Sequence, residues 1–313
     1  MRVLITGGYG YIGGRLAQYL FTHGREVFLG SRNLHQRTNW LPEAKNILIN
    51  WCDPLSLTLA CKHIDVIIHT SGMNAKESKL NSLEALKVNG QYTDNLLQAA
   101  KTQKVKRFIY LSTAHVYSAP LLGHINENTP LKNLHPYATS HLAGENFILS
   151  DNQITGFVLR ISNAFGPPTH RDVNCWMLLV NDLCRQAIEK RAMTLNSDIS
   201  QLRDFITLTD VISAIDSFIE MPPNKFNDVY NLGGEFSINI FQMAGLIGSR
   251  CRALFNYSPE IIIREKDRAY SQSVLKYDIE KLKSTGFKLA KKINDEIDAT
   301  LLFCLENFSN RTL

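Results

Sequence analysis

The chain has 313 residues, of which 44% are hydrophobic and 20% charged, enough for one large domain or two modest ones around a buried core. Its longest apolar runs are strand-sized, far below the ~20 residues of a membrane helix, and no basic and apolar leader precedes the first strand, so a cytoplasmic protein with no membrane span is expected. The formal charge of +5 comes from cations spread singly among apolar residues, which argues against nucleic acid and suits anionic small molecules; six scattered cysteines without Cys-x-x-Cys spacing argue against disulfides and against a metal site.

In chain order, β-branched runs at residues 3–6, 27–31, 47–50, 66–70, 108–112 and 157–160 alternate with amphipathic stretches at 13–23, 82–101 and 136–149. Strand and helix at this spacing predict βαβ units. Strands that are apolar throughout predict burial on both faces. The expected class is therefore α/β, with a Rossmann-type doubly wound parallel sheet. After the loop-like "GPPTHRD" at 166–172 the character changes: helices predominate, with short strands near 205–207 and 229–232. The expected division is a dinucleotide-binding domain over 1–165, to which a segment about 204–234 returns, and a smaller, mostly helical substrate lobe over 166–313.

The dinucleotide expectation rests on "LITGGYGYIGGRL". Gly7, Gly10 and Gly13 close a strand and open a helix, with Tyr11 and Ile12 between the last two. Glycines there let backbone N–H groups approach a pyrophosphate at the positive end of a helix. The second strand ends in Gly30, Ser31 and Arg32 with no carboxylate for a ribose hydroxyl. A hydroxyl and a guanidinium favour the 2′-phosphate of NADP over NAD, although Arg32 also reads as a solvated loop arginine. Asp53 either accepts from the adenine amino group or merely starts a turn before Pro54.

Further motifs then fall in order. "VIIHTSG" carries Thr70, Ser71 and Gly72; "ALKVNGQYTDNLLQAA" carries Asn89; "RFIYLSTAHVYS" carries Thr113 and His115; "HPYATSHLAGE" carries Tyr137 and His141; "LRISNAFGP" carries Asn163; "QLRDFITLTDV" carries Arg203. With the glycine motif, the series resembles the extended short-chain dehydrogenase/reductases, a family of nucleotide-sugar epimerases, dehydratases and ketoreductases. The resemblance implies an NAD(P)-dependent oxidoreductase or isomerase of a nucleotide-activated sugar. It makes Tyr137 the acid/base and Thr113 its hydroxyl partner, and runs the backbone of Thr70, Ser71 and Gly72 under the cofactor with Asn89 nearby. It places Asn163, Arg203 and either Arg264 or Arg268 around the sugar diphosphate, and it implies a homodimer built on the helices that carry Asn89 and Tyr137.

The chain departs from the family at two places. Ile161 and Ser162 replace a Pro-x pair near the expected nicotinamide. More important, His141 stands where the family has a lysine that binds the nicotinamide ribose and lowers the pKa of the tyrosine. The i, i+4 spacing keeps both residues on one helix face, but a histidine is largely neutral at pH 7. Three readings stay open: His141 substitutes competently, Tyr137 works only as an acid, or the site is a catalytically weak NADP-binding regulatory module. Thr113 is followed by Ala114 and His115 instead of the Asp-Glu pair of the 4,6-dehydratases, which argues against that reaction. His115 is either an acid/base beside a keto carbon or a locally packed loop histidine. The expected activity is hydride transfer at a keto or hydroxyl carbon of the sugar, by a reductase or an epimerase; the alternatives are a non-sugar carbonyl substrate and the regulatory module.

Overall fold

Val3, Leu4 and Ile5 are completely buried in the first strand, as an apolar run sealed on both faces requires. The first half of the chain forms β1 (Arg2–Thr6), α1 (Tyr11–Thr22), β2 (Glu26–Ser31), β3 (Lys45–Leu48), α2 (Pro54–Ala60), β4 (Val66–His69), α3 (Ala75–Leu80) and α4 (Ser82–Leu86). A π turn at Lys87–Gln91 leads into α5 (Tyr92–Thr102), followed by β5 (Arg107–Thr113), β6 (Gly123–Ile125), α6 (Pro136–Ser150) and β7 (Thr155–Ile161). The second half forms β8 (Asn163–Phe165), α7 (Leu179–Lys190), β9 (Ala192–Leu195), β10 (Leu202–Thr207), α8 (Leu208–Glu220), β11 (Asp228–Leu232) and β12 (Ser237–Asn239). Then come α9 (Ile240–Phe255), β13 (Glu260–Ile263), β14 (Leu275–Tyr277), α10 (Glu280–Lys283) and α11 (Ile293–Phe308). This computed structural model describes residues 1–33, 39–196, 198–222, 227–264 and 274–309.

The chain divides into two units. One comprises Met1–Ala119, Thr129–Ile161 and Ile212–Asn231; the other comprises Pro120–Asn128, Ser162–Val211 and Leu232–Leu313. The first unit is built on a seven-stranded sheet of order β3-β2-β1-β4-β5-β7-β11. The pairings of β1 with β2 and β4, β2 with β3, β4 with β5, and β5 with β7 are all parallel. The chain runs outward from β1 to β3 and then returns to place β4 on the other side of β1, so the strand order reverses between β1 and β4. In such sheets the crevice beyond the carboxyl ends of the strands at this reversal is where ligands bind. The expected α/β class with a doubly wound parallel sheet is what the chain forms.

The second unit holds three small sheets. β10 pairs with β8 in parallel and with β12 antiparallel, while β9 pairs with β13 and β6 with β14 in parallel. Its core gathers apolar side chains of α7, α9 and α11, among them Leu183, Ile247, Ile297 and Leu301, each burial worth about 1.5–3 kcal/mol. Among the described residues, no helix is long and apolar enough to cross a membrane.

Candidate active site

The turn after β1 is shaped by backbone contacts that only glycine permits. Gly7 has φ +72°, and a Cβ on it would lie 2.7 Å from Thr70 Oγ1 and 2.9 Å from the Ser71 nitrogen. A Cβ on Gly13 would lie 2.3 Å from the Gly7 carbonyl oxygen. The turn is closed by the Gly10 N–H donating to the Gly7 carbonyl (2.8 Å), and Thr70 is held against β1 by its hydroxyl donating to the Thr6 carbonyl (2.7 Å). Gly10 is the N-cap of α1, with no side-chain cap and no acid in the first turn. The first turn of the helix, Tyr11, Ile12 and Gly13, thus holds no acidic residue, an arrangement suited to a phosphate.

A cavity of about 510 Å³ opens at this turn. Of the residues expected to hold a cofactor, Gly7, Gly10, Ser31, Arg32, Thr70, Ser71 and Gly72 line it. Trp51, Met73, Glu77, Glu84 and Tyr92 line it as well, and sequence reasoning missed them. Trp51 stacks on Tyr92 with ring centroids 5.6 Å apart and planes 12° from parallel. Tyr11, Ile12, Gly13, Asp53, Asn89, Tyr137 and His141 are not among the lining residues. The Asp53 carboxylate caps α2, accepting from the Leu55 N–H at 3.0 Å. Asn89, fully buried in the π turn, accepts from the Met73 N–H at 2.8 Å and donates to Ser140 Oγ at 2.9 Å. It fixes the segment after β4 from below.

Thr113 ends β5 and Tyr137 opens α6. The Thr113 side chain accepts from the His115 N–H at 3.1 Å, and its interaction with the Tyr137 phenol acts to lower the phenol's pKa. His115 lies edge-on to Tyr137 at 6.5 Å between centroids, and His141 lies edge-on to it at 4.7 Å. The structure thus brings Thr113, His115, Tyr137 and His141 together. Two residues absent from the sequence expectations hold this group. His135 caps α6 by accepting from the Tyr137 N–H at 3.2 Å, with Pro136 favourably placed at the first helical position. Asn133 donates to the His115 carbonyl at 2.7 Å and accepts from the His135 N–H at 2.9 Å, tying the loop to the cap.

Burial sets the charges. Desolvation raises the Tyr137 phenol above its ordinary pKa of 10.0, against the Thr113 hydrogen bond that lowers it. Desolvation lowers His141 to about 4, so its ring is neutral at pH 7. Behind the group runs a buried polar chain. His141 Nδ1 is 3.0 Å from the Tyr110 hydroxyl, which donates to the Asn89 carbonyl at 3.1 Å. The Thr93 hydroxyl donates to the same carbonyl at 2.8 Å and lies 3.1 Å from His69 Nε2, while His69 Nδ1 lies 2.6 Å from Thr6 Oγ1.

In the second unit, Asn163 Nδ2 donates to the Asp204 carbonyl at 2.9 Å, and Arg203 is half-buried and donates to Gln201 Oε1 at 3.1 Å. The Asp204 carboxyl accepts from the N–H groups of Gly234 and Phe236, and burial raises it to about 6. Arg264 is exposed at the end of β13, and Arg268 lies outside the described residues.

A glycine-shaped turn at the sheet reversal, followed by a Thr–Tyr pair in register, is what a family comparison must explain. The model of the NAD dependent epimerase/dehydratase family matches residues 3–233. The chain belongs to that family. It is 27% identical to the Bacillus subtilis UDP-glucose epimerase YtcB, itself uncharacterized, over 83% of this chain and 86% of that one. It is 26% identical to human dTDP-D-glucose 4,6-dehydratase over 78% of this chain and 72% of that one. Its fold matches that of the Bifidobacterium longum UDP-glucose 4-epimerase, solved with NAD+ and UDP, at a TM-score of 0.81 and 23% identity over 98% of this chain and 99% of the other.

Proposed function

We propose that this family member is an NADPH-dependent reductase of a keto group on a nucleotide-activated sugar. The observation that carries the proposal is the charge state around Tyr137: its phenol is held protonated by burial, and one helical turn on stands a neutral histidine where the family has a cation. A phenol in that setting is a proton donor, and donation is what reduction asks of it. In this reading the Thr113 hydroxyl, which acts on the phenol's pKa, orients the substrate oxygen, and Tyr137 transfers its proton to that oxygen and recovers one from water. The bound cofactor would supply the hydride to the carbonyl carbon.

The cavity suits a dinucleotide on its own features: the glycine cradle that a single Cβ would fill, and the acid-free first turn of α1. At the end of β2 it offers Ser31 and Arg32; the carboxylates among its lining residues, Glu77 and Glu84, belong to α3 and α4 instead. That distribution supports NADP(H) over NAD(H). Ala114 gives no titratable group beside Thr113, which supports reduction over 4,6-dehydration. Asn163 and Arg203 are the residues proposed for the sugar diphosphate, and a homodimer built on α5 and α6 is proposed from the family.

A second reading, an epimerase that keeps its cofactor, is favoured by the similarity to the Bacillus protein. It requires Tyr137 to act also as a base, for which the neutral His141 supplies no cation. Titration with NADPH and NADH, followed through Trp51 fluorescence, separates the two. Exchangeable binding with NADPH preferred at least about tenfold is expected, and Tyr137→Phe should lower kcat by about 10²–10⁴ with cofactor affinity retained. Purification with tightly held NAD and no NADPH preference would overturn the reductase reading.

A further inference from the structure

The neutral His141 leaves open which ring nitrogen carries its proton, and the contacts around Tyr110 answer that. The Tyr110 hydroxyl is buried and has one proton to give. It lies 3.1 Å from the Asn89 carbonyl oxygen, which can only accept, and 3.0 Å from His141 Nδ1. Were its proton directed at Nδ1, two buried oxygens 3.1 Å apart would face each other with no hydrogen between them, a repulsive contact even though the carbonyl also accepts from the Thr93 hydroxyl. Tyr110 therefore donates to Asn89, and the 3.0 Å contact to His141 is satisfied only if Nδ1 is the donor.

The space for this arrangement is built into α6. A Cβ on Gly144 would lie 2.5 Å from the Tyr110 hydroxyl and 2.6 Å from the Asn89 carbonyl, so that residue must be glycine for the hydroxyl to reach over the helix. His141 Cε1, the carbon between the two ring nitrogens, is 3.8 Å from the position of a Cβ on Gly72, a residue that lines the cavity. Among the described residues His141 Nε2 has no hydrogen-bond partner, and 7% of the residue remains accessible.

We propose that Tyr110 is a positioning residue that locks His141 as the Nδ1–H tautomer, so that Nε2 offers a lone pair to a ribose hydroxyl of the bound cofactor. The family's lysine donates to that ribose; here the polarity of the bond is reversed, with the ribose hydroxyl donating and the protein accepting. A hydroxyl serves either role, so binding survives the substitution while the positive charge beside Tyr137 does not. The inference rests on the proposed cofactor site for its second half only; the tautomer is a property of the protein alone.

The same proton accounting assigns the second buried histidine. The Thr93 hydroxyl donates to Asn89, so Thr93 Oγ1 accepts from His69 Nε2–H, and His69 Nδ1 accepts from the Thr6 hydroxyl. The two histidines then carry their protons on opposite nitrogens, which gives the test an internal control.

The test is a long-range ¹H–¹⁵N correlation spectrum of protein labelled on its nine histidines, without cofactor at pH 7, with His141→Gln assigning the His141 signals. Expected are an Nδ1–H pattern for His141 and an Nε2–H pattern for His69, with Tyr110→Phe moving His141 towards Nε2–H. An Nε2–H or doubly protonated His141 in the wild-type protein, or no response to Tyr110→Phe, would overturn the tautomer lock. NADPH titration then tests the acceptor role. The His141 Nε2 signal should shift on binding without gaining a proton, and Tyr110→Phe should weaken binding about two- to tenfold, the range of one neutral hydrogen bond. A protonated Nε2 in the complex, or unchanged affinity in Tyr110→Phe, would sink that role. If neither NADPH nor NADH binds the wild-type protein, the cofactor reading itself fails, while the spectrum of the free protein still decides the tautomer.

Discussion

Helix α6 buries two ionisable groups one turn apart and treats them in opposite ways. Tyr137, His141 and Glu145 follow at i, i+4 and i+8 along one face; His141 keeps 7% of its surface and Glu145 1%. Desolvation penalises the charged form of either group. Glu145 nevertheless meets a complete set of donors. Arg160 Nε reaches its two oxygens at 3.0 and 3.1 Å, an Arg160 terminal nitrogen reaches Oε2 at 2.6 Å, and the Ser112 hydroxyl donates to Oε1. Burial works against the charge of Arg160, but the carboxylate beside it raises its pKa above the usual guanidinium value. Among the described residues His141 has only the hydroxyl of Tyr110 as a hydrogen-bond partner, and it stays neutral. Position on the helix does not decide the charge; the partner does. The consequence for chemistry lies nearest Tyr137, where the family places a cation and this chain places none.

Breaking the charged half should cost most. Glu145→Ala leaves Arg160 buried without its anion, a loss of about 3–5 kcal/mol, seen as a lower urea midpoint at unchanged m-value. Replacing both partners, Glu145→Leu with Arg160→Met, should recover most of that loss, because the uncompensated charge and not the missing pair carries the penalty. A double variant as unstable as the single one would show that the pair itself stabilises the fold.

The neutral half is tested by pH. His141 falls from 6.5 to about 4 on folding and His69 to about 3, both chiefly by desolvation, with His141 adding to the shift of His69. Below pH 6.5 the unfolded chain takes up protons that the folded chain refuses. The stability from a neutral His141 is therefore complete above pH 6.5 and is lost as the pH falls towards about 4. Asp204, raised to about 6, has the opposite sign: it stabilises below 3.8, and that contribution disappears as the pH rises through about 6. Because Asp204 is common to both proteins, comparing wild type with His141→Gln isolates the histidine. From pH 7 to pH 5 the wild type should lose about 2 kcal/mol more than the variant. Parallel curves would mean that His141 is already charged in the folded protein.

Much of the scaffold of this comparison was legible in the sequence. The parallel sheet follows from the spacing of apolar runs, the cradle from glycines at the end of β1, and the Tyr137–His141 face from helical periodicity. These are local signals, each written in fewer than a dozen neighbouring residues. The partners were not legible. Arg160 meets Glu145 across a loop, and His69 finds Thr6 and Thr93 at separations of 63 and 24 residues, so no periodicity announces either pairing. Trp51 and Tyr92 reach the cavity from elements whose apolar residues read as core. Asp53 belongs to a turn whose own geometry occupies the carboxylate. The bond by which Asn89 fixes the backbone of Met73, a residue lining the cavity, is likewise announced by no periodicity.

The smallest effect tests what a neutral network can do that an ion pair cannot. Thr93→Val keeps the shape and removes the hydroxyl that donates to Asn89 and accepts from His69 Nε2. Asn89 keeps the donor from Tyr110. His69 can move its proton to Nδ1 and donate to Thr6 Oγ1, 2.6 Å away, which leaves a nitrogen lone pair towards the valine in place of an orphaned N–H. The cost should then be one neutral hydrogen bond, about 1 kcal/mol, and the histidine spectrum should show His69 changing from Nε2–H to Nδ1–H. A loss approaching that of Glu145→Ala, with the tautomer unchanged, would mean that the chain of hydroxyls is as rigidly committed as the ion pair. An ion pair has no second proton arrangement to fall back on; a neutral imidazole between two hydroxyls has one, and that adaptability is the physical difference between the ion pair of α6 and the histidine network that His69 shares with Thr6 and Thr93.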